Sequence, residues 1–157
     1  MTDEQKKGFT LRISEANKSE LVVITFDMLL VYLEDAMAEL KEGKEAEFKR
    51  SISKAKGCFD ELINGLDSKY EIAQDLFSLY SFCIKELVQA ELKKDEEKLE
   101  GVRSIIIPIK ESFEEVAKTD TSESLMSNTQ SVVAGYTYGK NDVNATTTGS
   151  NNRGFLA

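Results

Sequence analysis

Residues 17–37 read NKSELVVITFDMLLVYLEDAM. From Leu21 to Leu33 only Thr25 and Asp27 interrupt a run of apolar side chains. A helix in a small soluble protein normally keeps one side for water, so this segment poses the question of what covers it. Its start is well marked. Asn17 is placed to accept from a first-turn amide while Glu20, three residues on, reaches back to the amide of Asn17, a capping box with Asn in place of Ser or Thr. The helix is expected to run to about Leu40, with Gly43 offering a left-handed exit.

Three further helices follow. Between Glu45 and Leu66, the residues Phe48, Ile52, Ala55, Phe59, Leu62 and Leu66 alternate spacings of four and three, giving one narrow apolar stripe with charged residues opposite. A third helix, from Tyr70 to Leu92, has a wide apolar face: Ile72, Leu76, Leu79, Tyr80, Cys83 and Leu87, with Ala73, Phe77, Ile84 and Val88 alongside. The fourth starts near Asp95 as its N-cap and repeats the pattern through Leu99, Val102, Ile106, Ile109, Phe113 and Val116. Pro108 removes the hydrogen bond to the Ser104 carbonyl and is read as a bend in that helix. Short polar connections force neighbouring helices to run in opposite directions. The fold expected is therefore all-α: an antiparallel up-down four-helix bundle over residues 17–118, its helices about 33 Å long at 1.5 Å per residue. Residues 1–16 form an N-terminal capping segment in which Phe9, Leu11 and Ile13 alternate with polar residues. An irregular tail occupies residues 119–157, rich in Ser, Thr, Asn and Gly. Within it, GKNDVNATTTGSNN reads as flexible chain, while SVVAGYTYG and the terminal GFLA are apolar islands.

The chemistry available is narrow. The 157 residues carry a formal net charge of −8 with no histidine. An acidic surface repels nucleic acid, and lack of histidine removes the commonest general base and metal ligand. The sequence has no glycine-rich phosphate loop and no zinc-type Cys/His spacing. Cys58 and Cys83, the two cysteines, read as reduced core thiols of a cytoplasmic protein. The N-terminus lacks the apolar stretch of a secretion signal, and the run from Leu21 is shorter than a membrane span. Asp27, among apolar neighbours, reads as a residue on a solvent-facing or hydrogen-bonded edge. No enzyme, metal or cofactor is expected.

What remains is a surplus of apolar helix surface. A bundle helix needs about three apolar positions per heptad; the first helix exceeds that, and the third has a face wide enough for more than one neighbour. Two readings fit: a central helix covered by the others and the N-terminal segment, or a groove that takes an amphipathic helix from another protein. A homo-oligomeric structural bundle that buries the surplus against itself is the rival of a different class.

The residues resemble a known family. NKSELVVITFDM is similar to the opening of the first helix in the bacterial flagellar export chaperones (FliS), with Asn17 at the cap, Leu21 at the leucine, and Phe26 and Asp27 at the aromatic–aspartate pair. ELINGLD (61–67), EIAQDLFSLYSF (71–82) and LVQAELKKD (87–95) resemble that family's later motifs in order and spacing. Lys18 stands where the family usually has proline, Met28 replaces a glycine, and Phe113 a common tryptophan. The resemblance covers roughly residues 9–117. It implies a cytosolic chaperone of type III flagellar export that binds the disordered C-terminal segment of flagellin as helices, prevents premature polymerisation, and hands its cargo to a membrane protein of the export gate. The chaperone itself is then a monomer or weak homodimer. The residues expected to carry binding are Leu21, Ile24, Thr25, Met28 and Tyr32 of the first helix with Leu76, Leu79, Tyr80 and Cys83 of the third. Phe9, Leu11 and Ile13 are expected to form a displaceable lid, and Val132, Val133, Tyr136 and Tyr138 are candidates for docking of the tail into the groove.

Overall fold

The computed structural model describes residues 1–127; the tail residues Val132, Val133, Tyr136 and Tyr138 lie outside them. The described chain contains the helices α1 (Asp3–Glu15), α2 (Lys18–Lys41), α3 (Glu45–Asn64), α4 (Glu71–Lys93) and α5 (Glu96–Thr119), and residues 125–127 are helical as well. The four long helices match the expected spans to within a few residues. Their ends carry the expected signals. The Asn17–Glu20 capping box is made in both directions, Gly43 takes a positive φ of 71°, and Asp95 accepts from the Glu97 amide at 3.0 Å.

The N-terminal segment that precedes these four helices is itself helical. Thr2 accepts from the Gln5 amide while the Gln5 side chain accepts from Thr2, so a second capping box starts α1. Phe9, Leu11 and Ile13 alternate with polar residues along the sequence; in a helix, residues four apart share a face and residues two apart do not. Phe9 and Ile13 are accordingly half-buried together, while Leu11 points to water, 60% exposed.

α2 answers the question its sequence posed. It packs on α1, α3 and α5, while α4 closes the far side by packing on α3 and α5. Cross-helix ion pairs give the directions. Lys41–Glu96 (2.8 Å), Glu34–Arg103 (3.6 Å) and Asp27–Lys110 (2.8 Å) ascend along one helix as they descend along the other, so α2 and α5 run opposite ways. Along α1 and α2, the Met1 amino group meets Asp35 and Arg12 meets Asp27, again in opposite order. The core gathers Phe26, Leu29, Leu33, Phe48, Ile52, Phe59, Tyr80, Leu87, Leu99 and Ile106, each 1% exposed or less. At its centre the Phe26 ring lies 6.3 Å from Tyr80 and 5.5 Å from Phe113, and Tyr80 lies 5.9 Å from Phe59.

Candidate partner-binding surface

The bundle seals only part of α4. Ala73, Tyr80, Cys83, Leu87 and Ala90 are buried. On the flank turned away from that core, residues 77, 84, 88 and 92 recur at helical spacing and form one apolar stripe. Phe77 is 50% exposed, Val88 39% and Leu92 79%, with Ile84 half-buried between them. At the turn joining α3 to α4 the stripe runs into a groove of about 370 Å³, lined by Ile63, Leu66, Tyr70, Ala73 and Phe77 together with the polar Ser68, Glu71 and Gln74. Scattered exposed apolar residues are ordinary on a protein surface; a contiguous stripe that opens into a groove marks an interaction surface.

The residues singled out in the sequence fall into two groups. Ile24, Tyr80 and Cys83 are buried, whereas Leu21, Thr25, Met28, Tyr32, Leu76 and Leu79 are half-buried. The Thr25 hydroxyl is turned onto its own helix, donating to the Leu21 carbonyl at 2.8 Å. The two helices do not pool these residues in one open groove, since α2 is flanked by α1, α3 and α5. The more exposed α4 positions, Phe77, Val88 and Leu92, were legible only as the margin of a wide apolar face. Counted with Ile84, they recur at spacings of seven, four and four, which sets them on one line beside the core stripe.

α1 is held on α2 by half-buried Phe9 and Ile13 and by charge. It buries no side chain completely, but the Arg12 guanidinium donates to Asp27 at 2.7 Å. Asp27 also receives Lys110 of α5 at 2.8 Å, so one carboxylate ties three helices together. Lys110 is held above the ordinary lysine range chiefly by its hydrogen bond to Asp27, with Glu114 adding to it. The edge expected for Asp27 is therefore a hydrogen-bonded one. Between α1, the start of α2 and the end of α5 lies a cleft of about 480 Å³, lined by Arg12, Ala16, Val23, Ile24, Ala117 and Lys118 among others; the last turn of α1 is not packed tightly onto α5.

The thiols offer no reactivity. Cys58 and Cys83 are free and buried, and burial pushes them up to about 12 and about 11, so neither carries a thiolate near neutral pH. Among the described residues no group of three or more Cys, Asp or Glu side chains could hold a metal ion. No described helix is long and apolar enough to cross a membrane.

The site as built is an all-α bundle with an outer helix and an apolar stripe left open on α4. The comparisons give the family. The family profile described as "Flagellar protein FliS" matches residues 1–120, and the chain belongs to the FliS family, a family of chaperones rather than enzymes. The chain is 29% identical over 114 residues to the flagellar secretion chaperone FliS of Escherichia coli (strain K12), covering 69% of this chain and 82% of that one. To the protein of the same description from Salmonella typhimurium it is 30% identical over 108 residues, covering 67% and 80%.

Proposed function

We propose that this protein is a cytoplasmic chaperone of type III flagellar export, which binds the disordered C-terminal segment of flagellin as helices and keeps it from polymerising before export. Hand-over to a membrane protein of the export gate is a transient contact in this reading. The observation that carries it is the open stripe of α4, Phe77–Ile84–Val88–Leu92, with the groove at its foot. An amphipathic helix laid along such a stripe makes contact through anchors spaced three and four apart. Ordering a disordered segment costs roughly 2–5 kcal/mol or more, which burial at about 25 cal/mol per Å² offsets over a long wrapped surface.

Leu76, packed against the core, and Leu79 lie about 100° and 160° around α4 from Phe77, and add contacts from the other side of its apolar face. Leu21, Thr25, Met28 and Tyr32 form a second platform on α2, reached when α1 leaves. Ile24, Tyr80 and Cys83 lie beneath these surfaces and shape them. Phe9 and Ile13 are then the inner face of the lid, and Leu11 its outer side. The decisive experiment mixes the chain with a peptide of flagellin's C-terminal segment. Helicity by circular dichroism is expected to exceed the sum of the parts, with a one-to-one mass by light scattering. A self-associated protein that ignores the peptide would instead favour the homo-oligomeric bundle. Deleting residues 1–14 is expected to tighten peptide binding about fivefold in calorimetry, since the polar hold of a partly exposed ion pair is worth about 1 kcal/mol. Weaker binding would show that α1 contributes contacts rather than covering them.

A further inference from the structure

The described chain keeps touching the bundle after α5 ends. Residues 120–125 pass over the elbow between α1 and α2, where Ala16 and Asn17 are both in extended conformation. These two hinge residues are 3% and 4% exposed, while α1 itself buries no side chain completely.

Asn17 works in two directions. Its Oδ1 accepts from the Glu20 amide and caps α2. Its Nδ2 donates to the carbonyls of Asp120 and Ser122, each at 3.3 Å. Beside it the Ser19 hydroxyl donates to the Asp120 carboxylate. The last four carbonyls of a helix lack partners within it. Here the Ser14 carbonyl accepts from the Ser124 hydroxyl at 3.2 Å, and the Ala16 carbonyl just beyond accepts from the Leu125 amide at 3.0 Å. The end of α1 is thus capped by a segment more than a hundred residues later in the chain. Hydrogen bonds from Ser122 first, then Ser19, hold the Asp120 carboxyl down to about 2, so this acceptor stays ionised at every working pH.

We propose that residues 120–125 are a clasp on the hinge of α1, and that α1 swings off α2 only when this clasp lets go. This rests on reading α1 as a lid and adds its control. The physical ground is where the hold resides. Away from the hinge, α1 is kept in place by the Met1–Asp35 and Arg12–Asp27 ion pairs and by half-buried Phe9 and Ile13, beside an open cleft. At the hinge, buried polar groups are satisfied by the clasp, and leaving them unpaired is costly.

Asn17→Asp separates the two duties of Asn17. Aspartate is as good an N-cap acceptor as asparagine but has no N–H to give the Asp120 and Ser122 carbonyls. In the full chain, without flagellin, hydrogen exchange followed by mass spectrometry is expected to quicken about tenfold in α1 and in residues 121–125 together. The first turn of α2 and the amides of α3 and α4 are expected to keep their wild-type rates. Leu125→Pro removes the donor to the Ala16 carbonyl while leaving the Asn17 side chain intact; it is expected to give the same paired change and decides the matter if Asn17→Asp does not fold. Faster exchange in 121–125 with α1 unchanged, or no change in either, overturns the clasp. Because no cargo is present, that result is independent of whether flagellin binds.

Discussion

Phe77→Asp combined with Val88→Asp is expected to weaken binding of a flagellin C-terminal peptide about a hundredfold while leaving the bundle folded. The two side chains stand on one flank of α4, half and two-fifths exposed, so their removal costs less than truncation of a fully buried residue. The local cost is the poorer helix propensity of aspartate, roughly 0.5 kcal/mol per site. Binding is affected differently. Each side chain loses about 1 kcal/mol or more of apolar burial against a partner helix, and each new carboxylate must be desolvated beneath it. Together these approach the 2.7 kcal/mol of a hundredfold change. The chain is already acidic, at −8, so charge repulsion needs a control. The double lysine variant reverses the sign while removing the same apolar area, and it is expected to lose nearly as much affinity. Calorimetry on both variants, with circular dichroism melts beside it, checks the expectation. Wild-type affinity in either variant would move the cargo off this stripe.

The helices were legible because their signals are local. Capping boxes, a glycine exit and three-four spacing act within one or two turns of chain, and they reappear at Asn17, Gly43 and Asp95. The second stripe is a good example. Phe48, Ile52, Ala55, Phe59 and Leu62 are all buried as the spacing implies, and only Leu66, past the last turn of α3, is partly open. Val116 near the end of α5 departs from its stripe, at 55% exposed. What periodicity cannot supply is which flank of a wide apolar face meets a neighbour. Tyr80 and Phe77 lie three residues apart on α4, yet one is 1% and the other 50% exposed. That difference is set by where α3 and α5 stand, which is information about other helices.

The same limit hid the polar joints. Asp27 announced only that something polar must meet it. That its partners are Arg12 and Lys110, from opposite ends of the sequence, follows from packing. The clasp was less visible still, since Ser, Thr and Asp after α5 look like any solvated exit from a helix. Asn17 was read for its cap alone because the acceptor on its side chain is used three residues away, and the donor more than a hundred.

Phe26→Ala carries the largest expected loss of stability, about 4 kcal/mol and roughly 15 °C in melting temperature. Phe26 is fully buried and its ring touches aromatic rings of two other helices, Tyr80 of α4 and Phe113 of α5. Tyr80 passes the contact on to Phe59 of α3, so this one side chain helps hold all four long helices in register. Truncation loses the ring's transfer energy and leaves a void that rigid aromatic neighbours fill poorly. Phe26→Leu restores most of the volume and is expected to cost less than half as much. The neighbouring residue provides the contrast that makes the argument specific. Asp27 is one step along the same helix, about 100° around it, and its side chain reaches partly exposed cations rather than the core. Asp27→Ala is therefore expected to loosen α1 while lowering the melting temperature by only a few degrees. Thermal melts of the three variants, followed at 222 nm, order them as Phe26→Ala, Phe26→Leu and Asp27→Ala from least to most stable. A Phe26→Ala protein that melts with the wild type would mean that the aromatic cluster does not hold the helices together.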